Sequence, residues 1–311
     1  MGETRWHTLR TALNSFAAAV LSATILSATV SARTDKPAPI RVKGSFVIAA
    51  ICKDGIIVAS DSRGTFKDTQ GRRIAYYDTN QKIFPIGNNL IADTGYASLN
   101  DRKVSFLSEF MARFANSSYS RVEVNQLPAS YFNYASQVLS ERGGESAKVQ
   151  TLVFAGFEHH KPLLCVYEGE GSRATKCSNV GYLSSPKQQI AGLEKASKLS
   201  FQEAARVMQA TIEDYAAAVQ PGSVGGPVVI RTITRFESRW FDKIPDWPHW
   251  SSFADLAEDY KNERVLFHLM PGIVKVQLDT LIEDGASWAR AAVAANPAAD
   301  TPVLDSSRRE Q

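Results

Sequence analysis

A serine that directly follows a glycine, at the head of an apolar run, is the first candidate for chemistry in this sequence. Gly44 precedes Ser45, and the run 45–52 has the pattern of a buried strand. A serine hydroxyl is a weak nucleophile that needs an adjacent base. If the chain is cut between these two residues, Ser45 gains a free α-amine with a pKa of about 7.7–8.0, which supplies that base on the same residue. Gly44 suits such a cut because it has no side chain to oppose a strained bond.

A regular succession of strands and helices surrounds the candidate serine. Apolar runs predict strands at 45–52, 56–60, 82–86, 90–92, 150–157, 163–167, 174–180 and 228–233, and helical spacing predicts helices at 97–116, 127–142, 187–196 and 200–218. Strands and helices thus occur in separate groups, which is typical of the α+β class and not of alternating βαβ units. Two sheets covered by two helical layers would form a four-layer αββα sandwich.

The segment around Ser45 resembles the start of a proteasome β-type subunit, a member of the N-terminal-nucleophile (Ntn) hydrolases. The family pattern is a glycine that ends the propeptide, a nucleophile, a strand, an Asp-Gly turn, a second strand and an Ala-x-Asp-x-Arg motif. Here the matching residues are Gly44, Ser45, Asp54-Gly55 and Ala59-Ser60-Asp61-Ser62-Arg63. The segment QKIFPIGNNLIADTG, residues 81–95, resembles the family's lysine-strand-glycine segment. The resemblance covers residues 44–236.

The resemblance implies a catalytic role for each of four residues. Ser45 is the nucleophile. Lys82 is the buried lysine whose positive charge favours the unprotonated amine, and Asp61 is the partner that a buried lysine needs. The backbone N–H of Gly95 stabilises the oxyanion, a contribution of about 2.7–4 kcal/mol per donor.

Other positions follow the family less closely. Asp93 falls where family members shape the substrate pocket, and an acid there hints at basic substrates. Active members mostly carry threonine at the position of Ser45. The family's late Asp-x-x-Ser-Gly-Gly pattern is degraded here to residues 221–226, where the nearest serine, Ser223, is one residue out of register. Taken singly, each candidate is an ordinary strand-end or turn residue, and only their joint spacing points to catalysis.

The first 32 residues have the three parts of a secretory signal. Arg5 and Arg10 precede an uncharged run of 16 residues, 15–30, and small side chains follow at the end of that run. The run is shorter than the roughly 20 residues that span a bilayer, which favours a cleaved signal over a membrane anchor. We therefore predict a signal peptide at 1–32, a pro-segment at 33–44, an Ntn hydrolase domain at 45–236 and a C-terminal extension at 237–311. An exported protein, periplasmic or secreted, would contact the membrane only through an uncleaved signal.

Composition and charge exclude several other classes. The 311 residues are 44% hydrophobic and 22% charged, which is close to the average of globular proteins. The net charge of +3 is too weakly basic for a nucleic-acid partner. Residues 1–44 hold six basic and two acidic side chains, so the predicted mature chain carries a net charge of −1. No cofactor and no metal are implied, and the expected partner is a peptide or amide substrate.

Two further expectations concern the cysteines and assembly. Cys165 and Cys177 are equidistant from Gly171, so a hairpin that turns there would place them opposite each other, as a disulfide or as two buried thiols. The family forms rings, which implies a homo-oligomer, although a C-terminal extension of this length could obstruct ring assembly. Two rival functions stay open: a catalytically inactive structural subunit of the same fold, and an unrelated secreted binding module.

Overall fold

The computed structural model describes residues 36–148, 150–167, 175–219, 222–241 and 246–295. The predicted signal peptide at 1–32 and the first residues of the predicted pro-segment lie outside the described residues. Among the helices of the described ranges, none is long and apolar enough to cross a membrane.

The described residues alternate between groups of strands and groups of helices. The strands are β1 (Arg41–Lys43), β2 (Val47–Cys52), β3 (Gly55–Ser60), β4 (Gly64–Lys67), β5 (Arg73–Tyr77), β6 (Ile83–Ile86), β7 (Asn89–Asp93), β8 (Leu152–Glu158), β9 (Lys161–Tyr167), β10 (Thr175–Ser178), β11 (Tyr182–Ser185), β12 (Val229–Ile233), β13 (Ser238–Trp240) and β14 (His268–Leu269). The α-helices are α1 (Leu107–Ala115), α2 (Leu127–Val138), α3 (Glu141–Lys148), α4 (Phe201–Ala218), α5 (Phe253–Lys261) and α6 (Lys275–Ala295). This mixture confirms the predicted α+β class.

The strands form three antiparallel sheets. Two have five strands each, in the orders β11-β2-β3-β12-β13 and β10-β9-β8-β7-β6. The third has four strands, in the order β1-β4-β5-β14. The hairpin β2–β3 turns at Lys53 and Asp54, as the Asp-Gly pattern predicts, with Cys52 paired to Gly55.

Both faces of β2 are buried, which explains why its sequence is an unbroken apolar run. Its successive residues alternate between two apolar clusters. One cluster joins the two five-stranded sheets and includes Val47, Ala49 and Val58 from one sheet and Leu90, Ala92 and Val153 from the other. The other cluster packs α4 against β2 and β3. A third cluster packs α1 and α2 against the sheet that contains β7 and β8.

Helix α4 begins and packs as its sequence predicts. The Ser200 hydroxyl accepts a hydrogen bond from the backbone N–H of Glu203, and the Glu203 carboxylate accepts one from the N–H of Ser200, which completes a capping box. Ala204, Met208 and Ile212 are buried along one face of the helix.

Three helix predictions are corrected by the backbone. The predicted helix at 127–142 ends at Val138, because Leu139 is extended with a ψ of 153°, and the separate helix α3 begins at Glu141. The predicted helix at 97–116 is helical only over Leu107–Ala115, because the preceding residues are drawn into extended pairing: the N–H of Ala97 donates to Val42 and that of Leu99 to Ser105. The predicted helix at 187–196 is wrong. Gly192 has a φ of 92° there, outside the helical region, and only a short 3-10 helix follows at Ala196–Lys198.

The four-stranded sheet was not predicted. Strand β1 comes from the predicted pro-segment, β4 and β5 from a stretch that lacks a clear strand pattern, and β14 from the predicted C-terminal extension. Helices α5 and α6 cover this sheet through a fourth apolar cluster. Residues at the two ends of the described chain therefore meet in one layer.

The hairpin β9–β10 places the two cysteines as the sequence suggests. The register sets Cys165 opposite Cys177, and the structure joins them in a disulfide. Cys165 is buried, whereas Cys177 is exposed. The third cysteine, Cys52, is a buried free thiol on β2.

We expect Cys177→Ser to lower the free energy of unfolding by about 2–4 kcal/mol, because the disulfide restricts the unfolded chain across the loop that it closes. Since Cys177 is exposed, this substitution leaves no cavity in the core. Urea unfolding with and without a reductant measures the loss. The wild type should lose stability on reduction and the variant should not. Equal responses of the two proteins to reductant would contradict the prediction.

Candidate active site

A fully buried ion pair lies at the centre of the candidate site. Lys82 Nζ is 2.7 Å from Asp61 Oδ1, and both side chains are 0% exposed. Asp61 directly follows β3, and Lys82 directly precedes β6, so the pair links the two five-stranded sheets. Burial lowers the pKa of the Lys82 ammonium, and the nearby Asp61 carboxylate opposes that shift. The sequence prediction that these two residues are partners agrees with this geometry.

The Asp61 carboxylate also accepts three backbone hydrogen bonds. The N–H of Phe46 donates to Oδ1 at 2.7 Å, and the N–H groups of Gly225 and Arg63 donate to Oδ2 at 2.9 and 3.3 Å. Charge-assisted bonds of this kind are stronger than neutral ones. Because Phe46 is the residue after Ser45, the carboxylate fixes the backbone beside the candidate nucleophile.

Ser45 lies at the junction between β1 and β2. Its hydroxyl donates to the carbonyl oxygen of Gly44 at 2.7 Å, which is the carbonyl of the bond predicted to be cut. Gly44 is buried and has a φ of 126°, a conformation that L side chains rarely adopt. A Cβ built on Gly44 would lie 2.0 Å from the backbone oxygen of Ser223. Ser223 is therefore packed directly against the Gly44–Ser45 bond.

Gly95 and Asp93 are in direct contact. The backbone N–H of Gly95, the predicted oxyanion donor, donates to Asp93 Oδ1 at 2.9 Å. Asp93 is 1% exposed, and its other oxygen, Oδ2, has no hydrogen-bond partner among the described residues. Burial raises the pKa of Asp93 to about 7, and the Gly95 bond and Lys82 oppose that rise. In this arrangement Asp93 faces the interior, and it holds the donor that we predicted for the oxyanion.

Sequence reasoning placed Arg63 in a motif without assigning it a role, and it missed the partners of Arg63. Arg63 forms a two-bond ion pair with Asp78, at 2.7 and 2.8 Å, and its guanidinium lies 3.8 Å from the centre of the Tyr76 ring. A Cβ on Gly225 would lie 2.6 Å from Arg63 Cζ, so only glycine lets the loop pass close enough to donate to Asp61. The pair Gly225-Gly226 in the degraded late pattern was the signal that could have located this loop.

The described residues contain one group that could hold a metal, formed by Glu123, Glu158 and His159. Two of the three are exposed. None of the candidate catalytic residues belongs to this group.

We expect Lys82→Met to lower the free energy of unfolding by about 3–5 kcal/mol, because it leaves the Asp61 carboxylate buried without a counter-charge. A matched control is Arg72→Met, which removes a cation paired with Asp68 but 56% exposed. That variant should lose no more than about 1 kcal/mol. Urea denaturation of both variants measures the difference, and equal small losses would contradict the buried pair.

We expect the stability of the protein to fall as the pH rises from about 4 to about 7 through the contribution of Asp93. The folded protein raises the pKa of this carboxyl to about 7 from its ordinary value of 3.8, so in this window the folded state binds more protons than the unfolded state. Asp93→Asn should flatten this part of the pH dependence. Urea midpoints at several pH values test it, and an unchanged slope in the variant would contradict it.

Comparison with known proteins identifies the family of this chain. Residues 42–223 match the family described as Proteasome subunit, and this match spans more than half of the 311 residues. It includes the Asp61–Lys82 pair and Ser45, and it ends at Ser223, beside the Gly44–Ser45 bond. A search of curated proteins finds no match. With a family match over more than half of its length, this chain belongs to the proteasome subunit family.

Proposed function

We propose that this chain is an exported Ntn hydrolase that cuts itself between Gly44 and Ser45 and then hydrolyses peptide or amide bonds through an acyl-enzyme. The family match supports a proteasome-like hydrolase domain. The observation that carries the proposal is the position of the Ser45 hydroxyl, 2.7 Å from the carbonyl oxygen of Gly44. The buried Asp61–Lys82 pair adjoins this bond through Phe46.

Self-cleavage needs no group beyond the chain and one water molecule. Ser45 Oγ attacks the carbonyl carbon of Gly44, the C–N bond breaks, and the hydroxyl proton ends on the nitrogen. This leaves an ester between Gly44 and Ser45 Oγ, and a free α-amine on Ser45. Water then hydrolyses the ester, which yields a Gly44 carboxylate and restores the Ser45 hydroxyl.

The free amine then serves as the base for further reactions. A terminal amine with a pKa near 8 accepts the proton of the Ser45 hydroxyl, directly or through one water. The positive charge of Lys82 favours the unprotonated amine. The serine attacks the substrate carbonyl, the amine proton passes to the leaving nitrogen, and water releases the acyl group. For Gly95 to stabilise the oxyanion, its N–H must leave Asp93 Oδ1.

Two finer features of the proposal have separate support. The clusters that join helices to each five-stranded sheet, and the sheets to each other, support the four-layer αββα arrangement. The charged start and apolar run of residues 1–32, together with the Cys165–Cys177 disulfide, support export to an oxidising compartment.

A catalytically inactive family member is the second candidate. One observation favours it: the Gly95 N–H is already bonded to Asp93 Oδ1, in a buried site. Such a protein would keep the fold and the ion pair, and its Gly44–Ser45 bond would stay intact.

Intact mass under denaturing conditions tests the proposal on full-length protein purified after export. We expect the wild type and Ser45→Thr to begin at residue 45, because both side chains offer a hydroxyl nucleophile. Ser45→Ala should begin at Arg33, because the signal is removed but the second cut is lost. Ser118→Ala, which changes an exposed serine far along the chain, is the matched control and should be processed like the wild type.

The outcomes separate the candidates. A Ser45→Ala protein that still begins at residue 45 would contradict self-cleavage. A wild type that persists with Arg33 at its start would favour the inactive candidate. Protein that begins at Met1 and stays in the cytoplasm would contradict export.

A further inference from the structure

Residues 41–44, at the end of the segment 37–44, form backbone hydrogen bonds on both sides. On one side β1 pairs with β4, so that Val42 lies opposite Phe66. On the other side the N–H of Ala97 donates to the Val42 carbonyl at 2.9 Å, and the N–H of Gly44 donates to the Gly95 carbonyl at 3.4 Å. Although β1 is the end strand of the four-stranded sheet, these bonds also satisfy its outer edge, so the segment is not a loose leader.

The side chains of this segment are buried as deeply as the core. Ile40 and Val42 are 0% exposed and Ala38 is 4% exposed. All three belong to the cluster covered by α5 and α6. A Cβ on Gly285 would lie 2.5 Å from Ile40 Cδ1, so α6 packs closely against this isoleucine.

A cut before Ser45 leaves these contacts in place. It breaks one covalent bond, but the edge hydrogen bonds and the buried side chains of residues 38–42 do not depend on that bond. The apolar area that these side chains hide from water opposes their release.

We propose that residues 37–44 remain bound after the cut as a permanent strand of the mature protein. There they occupy the part of the substrate groove that would hold the residues of a substrate before its cleaved bond. Retention after the cut rests on the proposed cleavage, whereas the binding of the segment rests on the contacts described above. Val42 and Gly44 lie along residues 95–97 with the Gly44 carbonyl at the Ser45 hydroxyl. Any other peptide that acylates Ser45 must place its own acyl residues there, and it therefore competes with the retained strand.

Mass measured in two ways tests the retention on full-length protein. Under denaturing conditions the cleaved protein should give two chains, the chain from residue 45 and the peptide that ends at Gly44. Under native conditions the two should travel as one particle with the sum of their masses. A native mass of the chain from residue 45 alone would overturn the proposal. A single uncut chain under denaturing conditions is a failure of cleavage and is recognised separately.

Hydrogen exchange tests whether this segment is held as a strand in protein that has not been cut. In that case the amides of 41–43 should exchange as slowly as those of β4 and β5, because they share one sheet. Exchange of this segment within seconds, while β4 and β5 stay protected, would overturn its role as a permanent strand.

A matched pair of variants tests whether the strand fills the groove. Val42→Gln puts an amide at a fully buried position and should weaken retention about tenfold or more, whereas Arg41→Gln changes an exposed neighbour and should not. After cleavage, Val42→Gln should hydrolyse a fluorogenic peptide faster than the wild type, because its groove is open. Structural damage alone would slow hydrolysis of the fluorogenic peptide by this variant. Loss of the strand with no gain in rate would overturn the groove assignment, and if this variant does not fold, the wild-type masses still decide retention.

Discussion

The site depends on the constraint that Asp61 and Lys82 are two charges held entirely out of water. Removing charges from water costs several kcal/mol per ion, which a Coulomb attraction offsets only when further hydrogen bonds satisfy the pair. Here the additional donors are backbone N–H groups from the start of β2, from the residues after β3 and from the loop before β12. Because those segments must converge to satisfy one carboxylate, the ion pair determines where the backbone beside Ser45 lies.

A second buried acid, Asp93, lies beside this ion pair. The Lys82 ammonium is bonded to Asp61, and the Asp93 backbone N–H donates to the Lys82 carbonyl while its carboxyl accepts from the Gly95 N–H, so one cation lies near two buried carboxyl groups. Burial raises the pKa of Asp93 to about 7 and the Asp61 charge adds to that rise, while the Gly95 N–H bond and Lys82 oppose it. The protonation of Asp93 and the freedom of the Gly95 N–H are therefore linked, since both involve the same carboxyl group.

Local signals were enough for part of the fold. Three such signals agree with the structure, and each acts within a few residues or one hairpin. They are the Asp-Gly turn, the capping box at Ser200, and the equal distance of Cys165 and Cys177 from Gly171. The β1–β4 and β5–β14 pairings carry no such signal, because their partners are distant in sequence and the strands are short. The burial of Asp93 was beyond prediction for a different reason: an acid at the end of a strand looks the same in a sequence whether it faces solvent or the interior.

The contact between the first and last parts of the described residues sets an order of events in folding. Ile40 is among the first described residues, and its cluster includes Leu278 and Ala289 from α6. This cluster cannot form until nearly the whole of the described chain has been synthesised. Local hairpins such as β2–β3 can form much earlier, since contacts between near neighbours close first. Closure of the layer around Ile40 is thus a late step, and a chain shortened before α6 would leave the strand before Ser45 without its cover.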